Sequence, residues 1–280
     1  MDTITASLVT VTGDDGEPVE RQRLGRAVTQ WSVTKAEWIK LQSVRVNVVG
    51  ILAAGAALVL LGVLFSALAP TDMGPGGTAT DSVSFAFGGI SLSQLIIGVL
   101  AALFVGSEYA SGLIRTTFGA VARRTRVLRA KAIVFGCAAW LAMTFGAFGA
   151  FFAGSAVYSG NLPSYAIGDP GVLRAVLSAG FYGACVALIG IAVGFLVRST
   201  AAAIGLLLGL LMLAPLLTEL LPGTAGDTLT QVLPSNAGKA IMSLTSPDNL
   251  LSPGLGFAVL AAWVVGLLAA AAVTLRRRDA

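Results

Sequence analysis

Apolar residues occur in long uninterrupted blocks along this chain, and polar residues gather between them. Six blocks come near the ~20 residues that a helix needs to cross about 30 Å of hydrocarbon. Arg174 and Glu219 lie near block ends, where long side chains can reach water. The blocks cover about residues 46–69, 85–105, 132–158, 172–197, 200–221 and 255–275. The pattern predicts an all-α integral membrane protein with six transmembrane helices.

The segment at residues 30–45 has a different pattern. Its tryptophans, Trp31 and Trp38, recur at helical spacing, whereas Lys35 and Lys40 fall on another face. Tryptophan is enriched at membrane–water interfaces, so the pattern favours an amphipathic helix lying at the membrane surface. A simple extension of the first span is the alternative.

The longest loop separates the fifth and sixth blocks. It contains short apolar stretches at residues 229–233 and 240–244 between proline and glycine breaks. We expect short outer helices there, forming either a lid or merely a loop.

Small residues recur at four-residue spacing in the fourth and fifth blocks, which only Arg198, Ser199 and Thr200 join. One pair is Gly190 and Gly194, and the other is Gly205 and Gly209. Such spacing lets helix backbones approach closely in lipid. It predicts packing within the chain or, alternatively, a subunit interface. We also expect a proline kink at residue 215 of the fifth span.

The composition agrees with a bilayer protein. Of the 280 residues, 56% are hydrophobic and 11% are charged, against about 25% charged in a soluble domain. The chain has no histidine, and Cys137 and Cys185 both lie within apolar blocks. This argues against a zinc site and a disulfide framework, and we expect neither a metal nor a cofactor.

Lysine and arginine set the orientation. All but Arg174 and Lys239 of the 18 Lys and Arg lie on one side if both termini are cytoplasmic, as the positive-inside rule requires. Residues 1–28 are polar without apolar periodicity, which predicts a disordered cytoplasmic tail. Residues 29–278 would form the membrane domain.

The most charged stretch is GSEYASGLIRTTFGAVARRTRVLRAK, residues 106–131, between the second and third blocks. It carries one carboxylate, Glu108, followed by six cations. For the arginines at 123, 124, 126 and 129, we expect a role in topology and contact with anionic lipid. One acid and one glycine are not needed to anchor a loop, so Glu108, Gly112 and Arg115 instead indicate a place where another protein pushes on this chain.

Polar residues within the blocks are few. Ser91, Ser93 and Gln94 form a polar cluster in the second block, and Ser91 and Gln94, three residues apart, are candidates for lining a substrate path. Interhelical hydrogen bonding is the alternative.

Several chemistries are missing. No phosphate-binding G-x-x-x-x-G-K-[ST] occurs, and the GPGG at residues 74–77 lacks the lysine. No charge lies near a block midplane, where proton- or sodium-coupled carriers usually keep one. We therefore expect a non-enzymatic transporter whose energy comes from elsewhere.

The order Glu108-Tyr109-x-Ser111-Gly112-x-x-Arg115, placed after the second of six spans, resembles the coupling region of type-2 ABC exporter permeases. The Trp38-x-Lys40 helix resembles that family's N-terminal connecting helix. One departure is the Val121-Ala122 pair, where relatives often carry proline.

This resemblance implies a permease subunit that pairs with a second six-span subunit and with a separate cytoplasmic ABC ATPase. Ser111–Phe118 would be a coupling helix against the ATPase, with Glu108, Gly112, Arg115 and Thr116 as coupling residues. The second and fifth spans would line the path. We expect a bacterial plasma membrane, with the lipid bilayer as surroundings and no nucleic-acid partner. A stand-alone secondary carrier and a non-transporting scaffold are the alternatives.

Overall fold

The computed structural model describes residues 29–69, 82–121, 123–158, 165–221, 224–244 and 250–277. All regular structure in these ranges is helical: α1 Gln30–Ser43, α2 Arg45–Ala67, α3 Ser82–Ala86, α4 Ile90–Ala110, α5 Leu113–Ala120, α6 Arg124–Val157, α7 Val172–Val197, α8 Thr200–Leu208, α9 Ala214–Glu219, α10 Thr224–Val232, α11 Pro234–Met242 and α12 Pro253–Arg277. The predicted tail and the segment at 74–77 lie outside the described residues.

Six helices or helix pairs in the described part of the chain are long and apolar enough to span a membrane. The predicted fold class is therefore confirmed. The fourth span, Val172–Val197, has the predicted bounds. The third differs most, because α6 begins at Arg124, eight residues before the predicted start. The basic residues 124–131 form the first turns of this helix rather than a loop.

The spans are unequally buried. In the most apolar 18-residue window of each, 72% of the fourth and 61% of the second is buried, against 28% of the first and 22% of the sixth. The second and fourth spans, α4 and α7, pack on each other, and α2, α6 and α12 pack around them. The core of the chain is therefore the α4–α7 pair.

The fifth span is the least buried, at 17%, and it is irregular. Between α8 and α9 the backbone makes a π-helical turn at Gly209–Leu213, directly before Pro215. Proline has no N–H to donate to the preceding turn, and a wider turn accommodates this loss. The sequence therefore located a real irregularity in this span.

Short helices, α10 and α11, lie between the fifth and sixth spans, where the loop pattern predicted short helices. Helix α11 is buried and packs against α7 and α12. The Arg174 guanidinium, at the start of α7, donates hydrogen bonds to the carbonyl oxygens of Ile241 (2.6 Å) and Ser243 (2.8 Å). Arg174 thus ties the end of α11 to the fourth span.

Candidate functional site

Helix α1 lies against α6 through one narrow face. That face consists of Val33, Glu37 and Leu41, spaced four residues apart, and all three are buried. Trp31 is 75% exposed and Trp38 is 42% exposed on the outward side. The tryptophans are therefore available to a membrane interface, and the packed face has a carboxylate at its centre.

Glu37 belongs to a cluster of four charges, three of them buried, which we call the ion cluster: Glu37 and Lys40 of α1, Glu108 of α4 and Lys131 of α6. Lys40 Nζ lies 2.9 Å from both Glu37 Oε1 and Glu108 Oε1. Lys131 Nζ lies 2.8 Å from Glu37 Oε2 and 2.9 Å from Glu108 Oε1. The charges of the two acids and two lysines balance, and each carboxylate contacts both lysines.

Burial makes these contacts matter. Lys131 and Glu37 are 0% and 1% exposed. A lone charge at such depth would be costly, and breaking a buried pair by removing one partner typically costs about 3–5 kcal/mol. The ammonium of Lys131 also lies 4.2 Å from the centroid of the Phe104 ring of α4, a favourable cation–π contact. The ion cluster therefore holds α1, α4 and α6 in one arrangement at the basic end of the bundle.

Lys40 is the most accessible member of the ion cluster. Burial by itself would lower its pKa, but hydrogen bonds and charge attraction from Glu37 and Glu108 outweigh that effect and raise the pKa above its ordinary 10.5. Lys40 therefore stays charged at physiological pH.

The chain turns sharply just after the ion cluster. Gly112 has a φ of 73°, in the left-handed region, which costs other L-residues roughly 1–2 kcal/mol. A side chain there would meet no heavy atom of the described residues within 4 Å. Backbone conformation, rather than space, therefore explains this glycine.

Helix α5 follows the turn. It runs from Leu113 to Ala120, two residues later than the predicted Ser111–Phe118. Ile114 and Phe118, four residues apart, are buried beneath it. Arg115 and Thr116 are exposed on its outer side. α5 is thus an amphipathic helix fixed by two apolar anchors, with a polar outward face.

The four residues predicted for coupling therefore occupy three positions. Glu108 lies in the ion cluster, Gly112 makes the turn, and Arg115 and Thr116 face outward. Of the ion cluster, only Glu108 was predicted as a functional residue, and Glu37, Lys40 and Lys131 were missed. The signal for Glu37 was present, since it is the one carboxylate in residues 30–45 and has the helical spacing of Val33 and Leu41.

The polar residues predicted in the second span are separated. Ser91 is exposed and Gln94 is buried. The Tyr182 hydroxyl of α7 donates a hydrogen bond to Gln94 Oε1. Ser93, the third member of this polar cluster, donates to the carbonyl oxygen of Ala54 at 2.9 Å. Gln94 thus makes the interhelical bond that was the alternative reading, and a substrate path through Ser91 and Gln94 remains a prediction.

The two glycine pairs differ. A Cβ at Gly190 would lie 2.7 Å from the Gly98 carbonyl oxygen, and one at Gly194 would lie 2.9 Å from Val105 Cβ, both on α4. A Cβ at Gly205 or Gly209 would meet nothing described within 4 Å. The first pair provides close packing within the chain, and the second faces away from the described residues.

Comparison with known proteins agrees with this architecture. A search among curated proteins returned no match. The model of the family described as ABC-2 family transporter protein matches residues 33–214, which include most of α1, the ion cluster, α5 and most of the fifth span. Since this match covers more than half of the chain, the protein belongs to the ABC-2 transporter family and is one of its multi-span membrane permeases.

Proposed function

We propose that this chain is the membrane-spanning subunit of an ABC exporter in a bacterial plasma membrane, with both termini cytoplasmic. A separate cytoplasmic ATPase would supply the energy. It would contact α5, and its movement would be transmitted to the membrane domain through this helix. The family works with ABC ATPases, and the exporter resemblance of residues 108–115 supports the direction of transport. The placement of α5 beside the ion cluster carries the proposal.

The physical argument begins at the outward face of α5. Leu113, Arg115 and Thr116 are exposed there, while Ile114 and Phe118 fix the helix to the bundle. A partner pressing on this face would move α5 as a rigid piece. Its neighbours along the chain are α4, through the turn at Gly112, and α6, through residues 121–123.

The ion cluster would pass this movement on. Glu108 is one helical turn before Gly112, and it is bound to Lys131 of α6 and Lys40 of α1. Because separating these charges in a buried place is costly, α1, α4 and α6 would tilt together. α4 packs directly on α7, so the tilt would reach the centre of the bundle.

A second permease subunit would complete the transport path. The fifth span leaves leucines exposed along its length, among them Leu206, Leu213 and Leu217. Its glycines, Gly205 and Gly209, would allow another helix to approach closely. The path would then lie between the second and fifth spans of two subunits.

The first test is a cross-linking experiment on the complex isolated from cells that produce the protein. Arg115→Cys and Thr116→Cys, each in a background with Cys137 and Cys185 replaced by alanine, are treated with a short bifunctional thiol reagent. Arg277→Cys, exposed at the end of α12, is the matched control. We expect a cross-linked ATPase with a phosphate loop at residues 115 and 116, and little or none at 277.

The second test measures coupling. Arg115→Ala and Glu108→Gln should insert normally but lower the ATP hydrolysis of the assembled complex relative to Lys35→Ala, an exposed α1 control. If the purified chain carries no ATPase and residue 115 forms no cross-link to one, the carrier or scaffold alternatives would be favoured.

A further inference from the structure

Arg198 occupies a strained position in the turn that joins the fourth and fifth spans. Its φ is 57°, and among the residues that the structure describes it is the one non-glycine residue with a left-handed backbone. Glycine adopts this conformation without strain, which is why glycine commonly follows the last residue of a helix. An arginine at this position must therefore contribute something that offsets the strain.

Membrane orientation does not account for the position of this arginine. A cation in the turn would satisfy the positive-inside rule equally well at Ser199. Ser199 is exposed and has an ordinary extended backbone, with φ −128° and ψ 124°. An arginine there would be unstrained. The side chain of Arg198 is therefore placed for a contact within the protein.

That contact is with Tyr109, in the last turn of α4. The guanidinium carbon of Arg198 lies 5.8 Å from the centroid of the Tyr109 ring, which is within cation–π range. The Phe195 ring meets the same ring edge-on, with centroids 6.2 Å apart and an angle of 83° between the planes, a favourable aromatic geometry. We call Tyr109, Phe195 and Arg198 the tyrosine clamp. It holds the end of α4 just before the turn at Gly112.

The side chains of Tyr109 and Arg198 meet through the face of the ring. The Tyr109 hydroxyl and Arg198 Nε are both buried, and neither has a hydrogen-bond partner among the described residues. Removal of the hydroxyl would therefore leave the contact intact, whereas loss of the ring would abolish it. Tyr109→Phe is thus a conservative variant of the tyrosine clamp, and Tyr109→Leu is a disruptive one.

One helical turn earlier, α4 makes a second contact with the start of the fifth span. A Cβ at Gly106 would lie 3.1 Å from the Cα of Thr200, so the two backbones approach closely there. Gly106 and Tyr109 are three residues apart and lie on one face of α4. The contact at Gly106 alone would act as a pivot. The tyrosine clamp supplies a second point, which fixes the angle between the end of α4 and α8.

This connection involves only the first half of the fifth span. Helix α8 packs on α4. Helix α9, beyond the π-helical turn, has no buried residue and packs on α10. A movement of the end of α4 would therefore enter the fifth span through α8.

We propose that Arg198 is a positioning residue that makes the start of the fifth span follow the end of α4. The inference rests on the proposed function, since α5 would deliver the movement to α4. It adds a direct connection from α4 to the fifth span, separate from the links of the ion cluster to α1 and α6. Without the tyrosine clamp, α5 and α4 would still move, but α8 would pivot at Gly106 and stay behind.

The test compares two spin-label distances in the purified complex in nanodiscs, with Cys137 and Cys185 replaced by alanine. The pair Thr116→Cys/Arg277→Cys reports the position of α5 relative to the end of α12, and Ala202→Cys/Arg277→Cys reports the position of α8. All three labelled positions are exposed. Pulsed electron paramagnetic resonance measures both distances without nucleotide and after trapping with ATP and vanadate.

The decisive variant is Arg198→Gly/Ser199→Arg, which keeps one cation in the turn and relieves the left-handed strain. In the wild type, both label pairs should shift on trapping. In the decisive variant, the α5 pair should shift as in the wild type, and the shift of the α8 pair should be lost. Tyr109→Leu should give the same result, whereas the matched Tyr109→Phe should keep both shifts. Unfolding temperatures close to that of the wild type exclude misfolding as the cause.

Three results would overturn the inference, and they differ in what they imply for the proposed function. If the α8 pair still shifts in the decisive variant and in Tyr109→Leu, α8 follows α4 without the tyrosine clamp, and the proposed function stands. If Tyr109→Phe loses the α8 shift as Tyr109→Leu does, the ring face is not the contact that matters. If neither pair shifts in the wild type, or no ATPase accompanies the chain, the proposed function fails and this inference fails with it. Should the decisive variant insert poorly, the comparison of Tyr109→Leu with Tyr109→Phe decides.

Discussion

The fourth and fifth spans carry the same glycine spacing and are adjacent in sequence, yet they occupy opposite environments. Gly190 and Gly194 of α7 lie against the backbone and small side chains of α4, whereas Gly205 and Gly209 meet no described neighbour. The buried shares of their apolar windows, 72% and 17%, follow the same division. A small-residue motif therefore predicts that another helix can approach closely, but it does not identify that helix.

The charged end of the bundle connects to the fourth span through α4. The ion cluster ties α1 and α6 to α4, and α4 packs on α7. No ion pair of the described residues involves the fifth span. The second and fourth spans form a fixed core, and most of the fifth span's apolar window is exposed outside it.

The largest effect is expected at the charged end of the fixed core. Lys131→Met removes the cation shared by Glu37 and Glu108 and leaves their charges buried with one partner. We expect a loss of about 3–5 kcal/mol in stability, measured as the thermal unfolding of the detergent-purified chain. Lys35→Met, an exposed α1 lysine, is the control and should change little. Equal stability of the two variants would mean that the ion cluster does not hold the core together.

A slightly smaller effect is expected from the packed glycine. Gly190→Leu would force a side chain into the Gly98 carbonyl oxygen of α4, where overpacking costs about 1–3 kcal/mol or more. The yield of monodisperse chain on size-exclusion chromatography should fall sharply. Gly205→Leu is the matched variant in the fifth span, and it should fold nearly as the wild type. A comparable loss in both would remove the distinction between the two spans.

A moderate effect is expected within the core. Tyr182→Phe removes the donor of the bond to Gln94 and leaves a buried amide oxygen without it, at a cost of about 1–3 kcal/mol. The double variant Tyr182→Phe/Gln94→Leu should recover part of this loss, and thermal unfolding of the single and double variants measures the coupling. If Gln94→Leu were as harmful in the Tyr182→Phe background as alone, the hydrogen bond would not account for the effect.

The smallest effect on folding, but the sharpest on assembly, is expected in the fifth span. Gly209→Leu should change chain stability by less than about 0.5 kcal/mol, because a side chain there would meet no described atom within 4 Å. If the proposed second subunit packs there, the same change should reduce cysteine cross-linking between copies at exposed Met212. Unaltered cross-linking would place the subunit contact elsewhere.

Much of this protein's helical architecture could be predicted from its sequence because the bilayer imposes simple rules. Each span must be about 20 apolar residues long, and each charged side chain must reach water or a partner. The bounds of α7, the short join between α7 and α8 and the irregularity before Pro215 follow from such local rules. The start of α6 does not, because basic residues at a helix start look like a loop when only apolar length is counted.

The sequence alone determined the number of spans, the family resemblance, and the segment after the second span where a partner is proposed to act. Tertiary structure alone decided which charges are buried together: Lys131 lies with Glu37, 94 residues away, while Arg129 lines a cavity. It also decided which glycine pair is packed. The reason is that the length of an apolar segment is a local property of the chain, whereas charge pairing and close packing depend on which helices become neighbours. The spacing of residues within one helix does not determine those neighbours.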